Sequence, residues 1–178
     1  MPVTDPRDFR NALGTFSTGV TVVTTVDPAG RRHAMTVNSF AAVSLSPPLV
    51  LWSLGRASFS AQAFLAATHF AVNVLSAGQI ALSRHFAHPS EDKFAGVATR
   101  EGMGGLPLLA DAAAVFECST EAIPPGGDHA ILVGRVERYA YSEREPLVFS
   151  RGRYQRGVNI ETASDHDADL AAAWGGLA

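Results

Sequence analysis

The sequence predicts a mainly β protein in which a closed antiparallel barrel carries peripheral α-helices. Residues 20–26 are almost wholly β-branched, which favours a strand. Consecutive prolines at 47–48 cannot sit inside a sheet ladder, so they mark a corner between two strands. About seven strand-like segments with few helical segments between them argue against a parallel α/β sheet and for a closed antiparallel one.

The N-terminal elements follow from local signals. The oxygens of Thr4 and Asp5 before Pro6 predict a helix start, and Phe9 and Leu13 form its apolar side. Turn residues at 27–30 return the chain in a hairpin. The strands expected in this half cover residues 20–26, 33–40, 41–45 and 49–54.

In the C-terminal half, Ser58 is expected to cap a short helix. Residues 88–105 are expected to form a long ordered loop, and Gly134 interrupts the apolar pattern of its strand as a β-bulge would. The remaining elements are strands over 69–75, 115–123, 130–141 and 147–150 and a helix over 77–86. We expect one domain over 1–154 and, over 155–178, a tail whose Thr, Ser, Asp and Ala content is typical of a mobile segment.

Composition excludes several classes of protein. The 178 residues carry a net charge of −3. The chain therefore lacks the excess positive charge that is typical of proteins that bind nucleic acid or an anionic membrane. Cys118 is the single cysteine, which excludes an intrachain disulfide and a CxxC zinc site and fits a reducing cytosol. Charged residues over 5–10 stand where a signal peptide would be apolar, so we expect a cytoplasmic protein.

Familiar catalytic and phosphate-binding motifs are missing from the sequence. It has no G-x-S-x-G, no P-loop and no strand-linked GxGxxG. His85 and His88 with Glu91 and Asp92 are too loosely spaced to predict a metal site. We therefore expect no metal.

Two polar segments are candidate binding surfaces. Thr36, Asn38 and Ser39 end a predicted strand and can meet the polar rim of a planar heterocycle, or they can simply cap the strand. Around the next predicted helix start, a guanidinium and three hydroxyls favour an anion site, although one serine alone would be an ordinary N-cap. These residues are Ser53, Arg56, Ser58 and Ser60.

His129 opens a long predicted strand directly after the turn residues 126–128. Such a histidine can stack on a ring or donate a hydrogen bond, or it can be a structural hairpin residue. Because adjacent strand residues point to opposite faces, we expect Asp128 to fix the turn rather than pair with the imidazole.

Taken together, these segments resemble the short-chain flavin reductase family, the reductase components of two-component flavin-dependent monooxygenases. The resemblance covers residues 9–154, and its specificity lies in the order and spacing of many short motifs. Ser46 departs from the family pattern, since many relatives have aspartate there. The matching segments are FRNALGTF (9–16), TGVTVVT (18–24), MTVNSF (35–40), VSL (43–45), PPL (47–49), FAVNVL (70–75), HFA (85–87), DKF (92–94), EC (117–118), GDH (127–129) and GRY (152–154).

The resemblance implies an FMN-binding split barrel, usually a homodimer, that reduces FMN or FAD with NADH or NADPH. The reduced flavin would serve a partner monooxygenase or halogenase. His129 would meet the nicotinamide. The implied flavin-binding residues are Thr36, Val37, Asn38 and Ser39 at the isoalloxazine, Ser53, Leu54, Arg56, Ser58 and Ser60 at the ribityl and phosphate, and Phe86, Lys93 and Phe94 closing the pocket.

The sequence leaves two alternatives open: another split-barrel oxidase of the pyridoxamine phosphate type, and a non-enzymatic flavin or haem carrier. The GDH motif at 127–129 disfavours both. The sequence does not distinguish FMN from FAD or NADH from NADPH. Arg32, Arg151 and Arg153 are each conceivable partners for the 2′-phosphate of NADPH.

Overall fold

A computed structural model describes residues 5–90 and 92–158. No helix within these ranges is both long enough and apolar enough to cross a membrane. The helices are α1 (Pro6–Leu13), α2 (Ala61–Ala66) and α3 (Ile80–Ala87), with a 3₁₀ turn at Met103–Gly105. The strands are β1 (Thr18–Gly19), β2 (Thr21–Val26), β3 (Arg32–Val37), β4 (Ala41–Leu45), β5 (Pro48–Gly55), β6 (His69–Val74), β7 (Thr99–Glu101), β8 (Pro107–Leu109), β9 (Ala114–Ala122), β10 (Pro125–Gly126), β11 (His129–Tyr141), β12 (Leu147–Ser150) and β13 (Arg153–Arg156).

The protein is mainly β, as the sequence predicts. The largest sheet is antiparallel and runs in the order β3-β2-β6-β9-β11-β5-β4, with β10 paired to β11. Two small sheets, β1-β12-β13 and β7-β8, accompany it. Of the tail predicted over 155–178, residues 155 and 156 belong to β13, and the part from residue 159 onward lies outside the described residues.

Closure of the barrel is not confirmed. The hydrogen-bonded path ends at β3 on one side and at β4 on the other, although these outer strands are consecutive in the chain. Only residues 38–40 connect them. The described ladders therefore define an open path whose two ends are held together by a short connection.

Two apolar clusters form most of the core. The first centres on Trp52, whose ring contacts Phe64 and Phe70 edge-on at centroid distances of 5.1 and 6.0 Å. The second contains Phe86 of α3 and Phe94 of the following loop, whose ring centroids lie 5.4 Å apart. The candidate site lies beside this second cluster.

Several local predictions are confirmed. The Asp5 carboxylate accepts a hydrogen bond from the Arg7 N–H at 2.7 Å and caps α1. Gly30 donates to the Asp27 carbonyl at 2.9 Å, which closes the predicted turn before β3. The β9–β11 register shifts between Val133 and Gly134, where the sequence predicts a bulge.

Two local predictions are wrong. Helix α2 begins at Ala61 with Ser60 as its N-cap, and the Ser60 side chain makes no capping bond. The reason is that Ser58 belongs to a preceding turn, in which its N–H donates to the Gly55 carbonyl at 3.0 Å. The expected loop over 88–105 contains β7, which pairs with β8 in a hairpin. Three-residue strands are too short to give a periodic signal.

The bulge glycine at position 134 generates a test of the packing between β6, β9 and β11. A Cβ at Gly134 would overlap the Phe70 ring and lie 2.9 Å from the Cys118 Cβ. Gly134→Ala should therefore lower the free energy of unfolding by about 1–3 kcal/mol, measured by urea denaturation. Gly19→Ala is the control, because a Cβ there meets no atom within 4 Å. Equal stability of the two variants would contradict this packing.

Candidate flavin site

Five of the predicted site residues line one cavity of about 290 Å³, which we call the lysine cavity. It lies between the outer strand β3, the turn before α2 and the end of α3. Its lining residues are Met35, Thr36, Ala57, Ser58, Phe59, Ser60, Phe86, Ala87, Pro89 and Lys93. The site thus collects residues from four separate stretches of chain.

The ammonium of Lys93 is the main charged group of the lysine cavity. The residue is only 9% exposed, and its Nζ donates to the carbonyls of Ala34 at 2.8 Å and Phe86 at 3.1 Å. Burial lowers the pKa of Lys93 below its usual range. No carboxylate within the described ranges forms a salt bridge with it. Since an ammonium has three N–H donors, one remains for an anion in the cavity.

The serines of the lysine cavity supply polar atoms without protein partners. The Ser58 Oγ is buried and makes no hydrogen bond within the described part of the chain. A buried hydroxyl without a partner is costly, so this atom is suited to a ligand oxygen. Ser60 is 5% exposed and also lines the cavity. The Thr36 Oγ1 donates to the Ser83 carbonyl at 2.7 Å, which leaves its oxygen free to accept.

The predicted aromatic residues form the base of the site. Phe86 is fully buried and lines the lysine cavity. Phe94 is 4% exposed and packs behind Phe86. The Asp92 carboxylate accepts from the Phe94 N–H at 3.0 Å and fixes the loop that carries Lys93.

A second cavity, of about 430 Å³, adjoins the first, because both are lined by Phe59, Ser60 and Lys93. We call it the arginine cavity, since Arg31 and Arg32 also line it. Its remaining lining residues are His33 and Ser90. From the sequence, Arg32 is expected only as one of three possible partners for the 2′-phosphate of NADPH, and Arg31 is not expected at the site. The paired arginines between the turn at 27–30 and the polar strand end were the available signal.

The predicted residues in the β3–β4 connection and on β5 do not line the lysine cavity. Asn38 and Ser39 line a larger, mostly apolar cavity of about 1110 Å³ beside α1, together with Leu13 and Phe16. The Ser39 Oγ accepts from the Ser53 N–H at 2.9 Å, which ties the β3–β4 connection to β5. We call this the α1 cavity.

Two of the predicted residues have side chains directed into the core. Leu54 is fully buried in the cluster around Trp52, because alternate residues of β5 face inward. Val37 packs against the same cluster, and its carbonyl accepts from the Thr21 hydroxyl at 3.1 Å. Only the backbone of Leu54 remains available to a ligand.

His129 and Arg56 meet at a different place, where β11 begins opposite the end of β5. His129 pairs in register with Gly55, and the Arg56 Nε donates to the His129 carbonyl at 3.2 Å. The Arg56 N–H also donates to the Asp128 carbonyl at 3.1 Å. Arg56 therefore does not line the lysine cavity with Ser58 and Ser60, and its Nε bonds the start of β11 instead.

The expectation for Asp128 is wrong. Its carboxylate lies 2.6 Å from the His129 Nδ1, and the His129 side chain is 46% exposed. The hydrogen bond from His129 lowers the pKa of Asp128. Adjacent residues point to opposite faces only within a strand, whereas Asp128 lies in the turn and β11 begins only at His129. With Nδ1 held by Asp128, the imidazole has Nε2 available for a ligand.

Comparison with known proteins identifies the class of this fold and site. Residues 13–157 match the flavin reductase like domain, so the chain belongs to that family. The FMN reductase (NADH) SmoA of Agrobacterium fabrum is 49% identical over 150 residues, which are 84% of this chain and 85% of SmoA. The reductase subunit HsaB of a flavin-dependent monooxygenase from Rhodococcus jostii is 40% identical over 171 residues, 96% of this chain and 84% of HsaB.

A solved structure extends the similarity to the whole fold. The NADH:FAD oxidoreductase SgcE6 of Streptomyces globisporus, in complex with NAD and FAD fragments, superposes with a TM-score of 0.83. Its sequence identity is 41%, and the match covers 91% of this chain and 100% of SgcE6. Several curated relatives are longer proteins: the chain spans 49%, 66% and 48% of the length of three of them.

Proposed function

We propose that this protein is an NAD(P)H-dependent flavin reductase that transfers a hydride from NADH or NADPH to FMN or FAD. The reduced flavin would supply a partner monooxygenase or halogenase. The observation that carries the proposal is the lysine cavity, where the buried Lys93 ammonium and the unpartnered Ser58 hydroxyl line the same space. The names of SmoA, HsaB and SgcE6 support the same reaction class.

A flavin phosphate fits the lysine cavity on chemical grounds. An anion neutralises the buried ammonium of Lys93, and its oxygens accept from the third N–H of Lys93 and from the Ser58 hydroxyl. Ser60 at the same wall adds a further donor. In this proposal the ribityl chain lies along the end of β5 near Ser53, and Arg56 contributes from the neighbouring turn.

The ring system is assigned to the outer strand β3 and the connection after it. Thr36 presents an accepting oxygen, and the backbone N–H groups of Asn38 and Ser39, which lie beyond the last β2–β3 pair, can donate to ring carbonyls. Because β3 is an outer strand, it has backbone groups that no neighbouring strand uses. Phe86, backed by Phe94, excludes water from the base of this site.

A bound flavin supplies the hydride acceptor for a reduced nicotinamide. The chain's own contribution is to hold the two rings in contact and exclude water. We assign the nicotinamide to His129, whose half-exposed imidazole is held through Nδ1 by Asp128 and offers Nε2 to the ligand. Arg56 fixes the backbone of the same turn through its bond to the His129 carbonyl.

We also propose that the protein is a cytoplasmic homodimer and that its largest sheet closes into a split barrel. Leu13 and Phe16 are 59% and 78% exposed and line the α1 cavity, which a second copy would cover. The short connection over 38–40 between β3 and β4 supports closure. Sedimentation should give twice the mass of one chain, and a single 18.8 kDa species at micromolar concentration would contradict the dimer.

The assignment of His129 predicts separable effects on the two ligands. His129→Ala should raise KM for the nicotinamide and lower kcat/KM by about 5- to 150-fold, because a hydrogen bond or ring contact is lost. The dissociation constant of the flavin should stay nearly unchanged. Anaerobic stopped-flow mixing with NADH and NADPH, using FMN and FAD in turn, measures both quantities.

Two controls accompany this variant. His69→Ala truncates a histidine on β6, away from both cavities, and should behave like the unmodified protein. Dithionite needs no nicotinamide site and should reduce flavin bound to His129→Ala normally. Loss of flavin binding with unchanged NADH kinetics would show that His129 serves the flavin or the fold. Failure of NADH and NADPH to reduce either flavin in the unmodified protein would overturn the proposed function itself.

A further inference from the structure

The arginine cavity is larger than the phosphate of FMN requires. Its volume of about 430 Å³ is within the range of small-molecule sites. Three of its lining side chains are cationic, namely Arg31, Arg32 and Lys93, and none of the described residues that line it is acidic. Such a cavity is suited to a second anionic group of an organic ligand.

The two arginines stand on a fixed framework. The Arg32 guanidinium lies 4.7 Å from the centroid of the Phe94 ring, a cation–π contact that holds its plane and leaves its edge free for an anion. The Arg31 N–H donates to the Asp27 carboxylate at 2.9 Å, and the Asp27 N–H donates to the Arg31 carbonyl at 3.0 Å. The Asp27 carboxylate also lies 2.9 Å from the His33 Nε2, so its oxygens are engaged within the turn between β2 and β3.

The position of the arginine cavity beside the lysine cavity indicates which anionic group the arginine cavity would bind. Ser60 and Lys93 line both spaces, so a group in the arginine cavity adjoins a phosphate held at Lys93. In FAD the second phosphate is bonded to the first through one shared oxygen, whereas FMN has only the first. Phe59, 71% exposed at the same junction, offers a ring on which a base can stack.

We propose that the arginine cavity binds the adenylate half of FAD, and that the chain therefore binds FAD more tightly than FMN. This inference rests on the proposed function and adds the choice of flavin to it. Arg31 and Arg32 contact the second phosphate, and Phe59 stacks on the adenine. The 2′-phosphate of NADPH is the other source of such a group; we assign FAD because the flavin phosphate is proposed to lie at Lys93, which lines both cavities.

The test is the double variant Arg31→Ala/Arg32→Ala, with Lys93 and the serines left intact. Its dissociation constant for FAD should rise about tenfold, because two exposed charge pairs are lost. The constants for FMN and riboflavin should change by less than about threefold. Fluorescence titration of the three flavins gives these values. In the unmodified protein the preference for FAD should weaken as salt increases, because exposed charge pairs are screened.

The matched control is Arg100→Ala/Arg138→Ala, which removes the same charge from exposed positions on β7 and β11 and should leave all three constants unchanged. Phe59→Ala should weaken FAD and spare FMN in the same manner.

Three results would overturn the inference. Equal losses for FAD and FMN would place the arginines at the shared phosphate or in the fold. An unchanged dissociation constant for FAD would show that the arginine cavity does not bind the adenylate half of FAD. A raised KM for NADPH alone, with flavin binding intact, would assign the arginines to the 2′-phosphate. Failure of the proposed function is distinguishable, since the unmodified protein would then bind no flavin.

Discussion

The buried ammonium of Lys93 is the interaction on which the site depends. An ammonium removed from water needs partners, and Lys93 finds two carbonyls, those of Ala34 on β3 and Phe86 on α3. Both carbonyls would otherwise lack partners, because β3 is an outer strand and Phe86 lies in the last turn of its helix. One side chain thus joins strand, helix and loop, and no salt bridge within the described residues compensates its positive charge.

This arrangement explains how one small domain can handle two nucleotides. The phosphate is assigned to the junction of β3, α3 and the turn before α2, whereas the nicotinamide is assigned to His129, where β11 begins beside the end of β5. Hydride transfer needs contact only between the two rings, so the two binding sites can be tuned independently. In the proposal, the cationic side chains of Arg31 and Arg32 would change the preference among flavins without altering the ring site.

Sequence patterns predicted most of the fold because its strong signals are local. The β-branched run at 20–26, the turn at 27–30 and the glycine at 134 each specify their own backbone. The site was harder to predict from the sequence, because its functional groups come together only through tertiary contacts. Residue types in one short stretch could not show that Arg56 turns to the His129 carbonyl, or that Arg31 and Lys93 line one cavity. Lys93 and Ser58 were found through the family resemblance and the hydroxyl-rich turn.

The most direct test of the central claim compares FMN with riboflavin, which lacks the phosphate, in Lys93→Met. Loss of the charged hydrogen bond should raise the dissociation constant for FMN at least about tenfold and that for riboflavin by less than about threefold. Lys93→Arg retains the charge and tests whether folding survives a change at this position. If neither variant folds, Ser58→Ala provides the same comparison through the unpartnered hydroxyl alone. Equal losses for FMN and riboflavin, or unchanged FMN binding in the folded variant, would contradict the account.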